Sequence, residues 1–157
     1  MNQGLGLFLI RGGVCPDLVI ENGQLKFDNG LETVSLISMF TDQRVEPDDL
    51  PDDVDDPRGW WGDQFSDPTD DQIGSTLWLH DRGTILSETA NNMEDAARAA
   101  FQWMIDDGIA DNVTSNATLI EGERIDIAVD VFRPNGDDFR FKFVWDGQEM
   151  RRVGNAA

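Results

Sequence analysis

The residues of this 157-residue chain that could do chemistry are unevenly supplied: 31 Asp and Glu, 12 Lys and Arg, one histidine, His80, and one cysteine, Cys15. Carboxylates at this density could bind calcium, which takes several oxygen ligands, or work in pairs as acid and base in a hydrolase. Ten aspartates fall between Asp48 and Asp71. They come largely as doublets, not in the alternating Asp-x-Asp-x-Asp-Gly pattern with a later Glu. The run therefore reads as a solvated loop, and no metal site is assigned. One Cys and one His are too few for zinc, and a lone cysteine forms no internal disulfide. His80 has no second histidine and no serine or cysteine nucleophile context, so it reads as a boundary residue. No phosphate loop appears. Abundant carboxylates alone do not make a hydrolase, and neither a catalytic residue nor a cofactor is assigned.

What remains is binding chemistry, concentrated in Asp56-Pro57-Arg58-Gly59-Trp60-Trp61-Gly62-Asp63. Each tryptophan can bury on the order of 200 Å², and the bracketing glycines permit positive φ and close backbone approach. A solvated acidic loop has no need of two tryptophans. The pair reads as a plug that folds back and anchors the loop on the core. Burial of both predicts a loss of several kcal/mol on joint replacement by alanine, roughly 3–5 kcal/mol for one fully buried Trp. The other reading is a partner surface, because Trp and Arg dominate binding hot spots.

The net charge of −19 keeps a chain soluble and opposes binding to nucleic acid or to an anionic membrane, both of which need a basic face. It favours basic partners or neighbours that supply positive charge. The apolar start from Leu5 to Ile10 lacks a basic flank and is too short for a signal peptide or a membrane span. The expectation is a chain made and folded in a cytoplasm. Its length fits one domain over 1–157.

The elements that must position these residues are legible in the patterning. Leu7 to Ile10 reads as a short strand broken by Arg11-Gly12-Gly13. Residues 18–28 read as a β-hairpin around Asn22-Gly23, the strongest short-range hairpin signal. A helix is expected over about 32–42, with Asn29 or Gly30 near its cap. The acidic loop runs from about 46 to 72. Ser75 can cap a short helix carrying Leu77, Trp78 and Leu79, with a short strand as the alternative. A longer helix is expected over about 92–107, capped by Asn91 or Asn92. It carries Met93, Ala97, Ala100, Met104 and Ile105 at helical spacing, and Gly108 suits its left-handed end. Ile125, Ile127, Val129 and Val131 alternate with polar neighbours, as do Phe139, Phe141, Phe143 and Trp145, giving a long C-terminal ribbon over 124–145. Val113 to Ile120 can add a third strand, and the basic tail from Met150 is expected to fray. The fold class is α+β: an antiparallel or mixed sheet with this ribbon, two to three helices packed on it, and an N-terminal hairpin.

The order of signals resembles a known family. Gly30-Leu31-Glu32-Thr33 opens a helix running to Phe40-Thr41-Asp42. Arg58-Gly59-Trp60-Trp61-Gly62-Asp63 and Gly74-Ser75-Thr76-Leu77-Trp78-Leu79 follow. Next come Ala99-Ala100-Phe101-Gln102-Trp103-Met104-Ile105-Asp106-Asp107-Gly108 and a ribbon ending in Phe143-Val144-Trp145. This is similar to the Mu-like phage tail protein family, small baseplate wedge components of contractile-tailed phages. Gly74-Ser75-x-Leu77 also resembles an element of the wider T4-type wedge and sheath-initiator family, which type VI secretion systems share. His80-Asp81-Arg82-Gly83 departs from that family's Glu-Pro ending.

The resemblance implies a structural protein of the virion tail baseplate, present in multiple copies in a symmetric assembly. Its partners would be other wedge proteins, the tail hub or spike, and sheath or tube proteins. It would act through an edge strand whose free N–H and C=O groups accept a partner strand. The ribbon is the expected edge, with Arg133, Arg140 and Lys142 setting register. Together with Arg58, Trp60 and Trp61 they are the candidate partner-binding residues. The rival reading is an acidic nucleic-acid mimic that inhibits a DNA-binding protein, which the charge favours and the crowding of carboxylates into one loop does not.

Overall fold

The computed structural model describes residues 4–5, 7–10, 15–18, 20–25, 27–28, 31–52, 54–65, 72–80 and 83–153. Asn22 and Gly23 take φ of 52° and 76°, the left-handed geometry that a two-residue hairpin turn demands. Around them the N-terminal strands nest. β1 (Gly4–Leu5), β2 (Leu7–Ile10), β3 (Cys15–Leu18), β4 (Ile20–Glu21), β5 (Gln24–Leu25) and β6 (Phe27–Asp28) follow in order. β4 pairs with β5, β2 with β3, and β1 with β6, all antiparallel. The expected hairpin over 18–28 is thus real only at its centre; its outer arms pair with strands from further upstream.

Helix α1 (Leu31–Phe40) buries Leu31, Leu36 and Met39 together with two serines, Ser35 and Ser38. Serine on a buried face needs partners. Ser35 Oγ donates to Glu32 O at 2.8 Å, and Ser38 Oγ accepts from Trp103 Nε1 at 3.2 Å. The expected cap at Asn29 or Gly30 lies outside the described residues.

The long helix begins earlier than its apolar stripe. Helix α2 spans Ser87–Ala99, so Asn91 and Asn92 lie inside it, exposed, and cap nothing. Its first turn is polar, with Thr89 Oγ donating to Thr84 O at 2.6 Å. The helix also breaks where the stripe continues. Phe101 leaves helical geometry (φ −109°, ψ 4°) before the short α3 (Gln102–Asp106). Its fully buried ring stacks on Phe141, with centroids 6.0 Å apart. Gly108 is left-handed as expected, at φ 68°, and Met104 O accepts from the N–H groups of both Ile109 and Ala110.

β7 (Asn112–Ile120), β8 (Arg124–Phe132), β9 (Phe139–Trp145) and β10 (Met150–Val153) form one antiparallel sheet in the order β10-β9-β8-β7. Register pairs Ile127 with Phe143 and Val129 with Phe141, so the apolar sets of both strands share a face. That face meets Met93, Ala97, Phe101 and Met104 from α2 to α3, and Leu31 and Met39 from α1, in one core. Burial on this scale, about 25 cal/mol per Å² of apolar surface, is the main drive for the fold. The α+β class is thus observed, with the sheet wholly antiparallel.

Two expectations change. β8 and β9 are the central strands, and β7 and β10 are the edges, so the ribbon offers no free edge. The segment from Met150 does not fray: β10 pairs with β9 along its length. Arg152 is buried there, its guanidinium over Phe141 and Nη1 2.5 Å from Glu32 Oε1 of α1. A basic tail gains a place in the fold because α1 supplies the counter-charge. Residues 154–157 lie outside the described residues.

An exposed aromatic cluster on a stapled loop

Between α1 and α2 the chain is mostly irregular, and polar contacts shape it. Asp42 and Ser75 form a parallel β-bridge, with Ser75 N donating to Thr41 O at 2.9 Å and Gln43 N to Ser75 O at 3.0 Å. Gly74 makes this approach possible. Its φ is 109°, and a Cβ there would sit 2.3 Å from Thr41 O, a contact that no side chain tolerates. Ser75 Oγ donates to Met39 O at 3.0 Å and accepts from Leu77 N at 3.4 Å, so it caps the 3-10 helix Leu77–His80 as expected. Trp78 is buried in that helix and donates Nε1–H to Gln43 O at 2.9 Å.

Arg58 is the second staple. Its guanidinium lies 4.4 Å above the Trp78 ring, and Nη1 is 2.8 Å from Asp42 Oδ2. Asp56 Oδ1 accepts from Arg58 N at 2.9 Å, an Asx-type turn that suits the left-handed φ of 51° at Arg58. A cation between an indole face and a carboxylate is held by both. Gly59 passes so close to Arg44 that a Cβ would meet Arg44 Cβ at 2.7 Å.

Past these staples the chain turns outward. Trp60, Trp61 and Phe65 are 44%, 70% and 77% exposed. The two indoles are 5.5 Å apart at a 48° tilt, and Trp61 meets Phe65 edge-on at 6.3 Å. Gly62 is buried under Trp60, where a Cβ would stand 2.2 Å from the ring carbons. Asp63 N donates to Trp60 O at 3.1 Å, and Asp63 Oδ1 accepts from Ile73 N at 3.3 Å. The tryptophan pair is therefore not a plug. Trp78 takes the buried position, and Trp60 and Trp61 form a surface cluster completed by Phe65. Phe65 closes the 3-10 turn that Trp61 opens, and no pattern in the sequence marks it as part of the cluster.

The six candidate residues do not converge. Arg58 lies beside the pair, but its charge is already engaged. Arg140 pairs across the sheet with Asp130, and Arg133, in the turn after β8, packs over Phe139 at 5.4 Å. Lys142 lines an open depression of about 250 Å³ with Asn116, Thr118 and Val144 on the face away from the helices. Beside the Arg58 staple a second cleft, about 270 Å³, is lined by Met39, Phe40, Trp78, Glu149 and Met150 among others. His80 is half-buried, which lowers its pKa from the ordinary 6.5 and favours the neutral ring. Among the described residues no group of three His, Cys, Asp or Glu is placed to hold a metal ion, and no helix is long and apolar enough to cross a membrane.

Comparison with known proteins adds a lineage to this geometry. The model of the family described as phage protein GP46 matches residues 31–138, which include both staples and the aromatic cluster. The chain is 35% identical over 120 residues to the Mu-like prophage FluMu protein gp46 of Haemophilus influenzae, covering 76% of this chain and 81% of that protein. It is 31% identical over 140 residues to baseplate protein gp46 of Escherichia phage Mu, covering 87% and 92%.

Proposed function

This chain belongs to the phage protein GP46 family, and from that premise we propose that it is a structural component of a Mu-like phage tail baseplate. It is located in the virion and acts by protein–protein assembly, not catalysis. The observation that carries the reading is its similarity across 92% of a protein described as a baseplate protein. The finer assignment is a wedge protein, with initiation of the sheath as its further role. Its neighbours there are other wedge proteins, the hub or spike, and sheath or tube proteins.

The geometry supports two kinds of contact. Trp60 and Trp61, with Phe65, are the side-chain contact, and Arg58 is the anchor that presents them. Strand addition is assigned to β10, because Arg133 and Arg140 make intramolecular contacts and the ribbon is interior. Lys142 remains a contact on the open sheet face. The nucleic-acid mimic is less well supported: Asp42, Asp95, Asp126, Asp130 and Asp146 pair with arginines of the same chain, and the exposed Asp48, Asp49, Asp52, Asp55 and Asp56 crowd into one loop and not into regular rows.

Co-expression with the products of neighbouring tail genes, then size exclusion with mass determination, tests the assembly reading. A stable complex is expected. A chain that stays monomeric beside every neighbour and instead inhibits a DNA-binding enzyme would overturn it in favour of the mimic.

A further inference from the structure

We propose that the Trp60–Trp61–Phe65 cluster seats an arginine-bearing, cationic segment of a neighbouring protein. The choice of a protein as partner rests on the assembly reading; the chemistry of the segment is read from the surface itself.

Three large rings stand exposed in a folded chain, and contiguous apolar patches of this kind mark interaction sites. They are held in place, which lowers the ordering cost of binding. Gly62 lies beneath Trp60, Asp63 ties the turn to Ile73, and the Arg58 clamp fixes the chain just before it. The charge of the surrounding sequence then selects the occupant. Between Glu46 and Asp71 there are eleven carboxylates and one cation, Arg58. Asp48, Asp49, Asp52, Asp55 and Asp56 are exposed, while Arg58 is engaged by Asp42 and Trp78. An acidic partner would be repelled. A purely apolar one would gain nothing from the carboxylates. A cation is attracted by the indole faces and by the carboxylates together.

The molecule already contains a small example of this recognition. Arg58 lies on the Trp78 indole with Asp42 beside it, a guanidinium between ring and carboxylate. Trp60 and Trp61 present their indole faces outward, in the same loop that carries the exposed carboxylates from Asp48 to Asp56. Arginine suits the site better than lysine, because its planar group stacks on a ring and pairs with a carboxylate at the same time.

The test is calorimetric titration of the full chain with a hexa-arginine peptide at physiological ionic strength, with hexalysine as comparator. Because the chain carries a charge of −19, any polycation is drawn to it, so dependence on the rings is the deciding measurement. Hexa-arginine is expected to bind the wild type more tightly than hexalysine. Trp60→Ala with Trp61→Ala should weaken it about tenfold, as loss of desolvated cation–π contact predicts, with an unchanged thermal midpoint. If the double variant unfolds, Trp61→Ala alone carries the test. Equal binding to wild type and ring variant, no preference for arginine, or no binding to the wild type would each overturn the proposal. No baseplate neighbour is needed. Peptide binding without co-assembly would therefore count against the baseplate reading alone, and co-assembly without peptide binding against this inference alone.

Discussion

Ile125, Ile127, Val129, Val131, Phe141, Phe143 and Trp145 are each 2% exposed or less, whereas Trp60, Trp61 and Phe65 in the loop are all more than 40% exposed. The two regions use aromatic residues for opposite purposes. In the sheet they fill a shared core, and stability is spread over many contacts. In the loop the backbone is fixed by few polar contacts at close approaches, namely the Asp42–Ser75 bridge, Gly74 against Thr41, and Arg58 on Trp78. Its largest side chains are left facing solvent. A loop built this way can change its displayed surface without disturbing the core.

Breaking the comparison from the sheet side gives the largest effect. Phe143→Ala removes a fully buried ring in edge contact with Phe40 and should cost about 3–5 kcal/mol in urea denaturation. Next is Gly74→Ala, which forces an L side chain into φ 109° against the Thr41 carbonyl. It should cost about 1–3 kcal/mol, with faster hydrogen exchange at Ser75 and Gln43 and little change in β8. Arg58→Ala should cost about 1 kcal/mol, because its partner Asp42 remains partly hydrated. Its clearer signature is faster limited proteolysis between residues 46 and 60. If protection of β8 and β9 falls as much as that of the loop, the two regions are one cooperative unit and the contrast fails. Trp61→Ala sharpens the contrast from the other end: a 70% exposed ring should change stability by less than about 0.5 kcal/mol.

How far the sequence could be read follows the same division. Alternation in Arg124–Phe132 and Phe139–Trp145 reports directly which face is buried, since strand side chains have a period of two. Asn22-Gly23 and Gly108 were legible because backbone geometry selects them. The start of α2 was not, because Ser87, Glu88 and Thr89 carry no apolar stripe, and its break at Phe101 lies in a stripe that continues unbroken. The burial of Arg152 depends on Glu32, 120 residues away, which no local pattern records. The exposure of the tryptophan pair is hidden from the sequence for a related reason. Both Trp60 and Trp78 are large and apolar, and which one enters the core depends on the Asp42–Ser75 bridge and the Arg58 clamp. The candidate contact surface could be located in the sequence, but its exposure could not.

One contact on the far side of the sheet bears on how such a molecule joins others. Ala117 N, on edge strand β7, donates to Glu94 Oε2 of α2 at 2.8 Å. An incoming strand there would have to displace a charge-assisted bond and move past a packed helix. At β10 the outer rim carries no such guard among the described contacts. The two edges thus differ: the strand addition proposed above would meet a charge-assisted bond at β7 and none among the described contacts at β10.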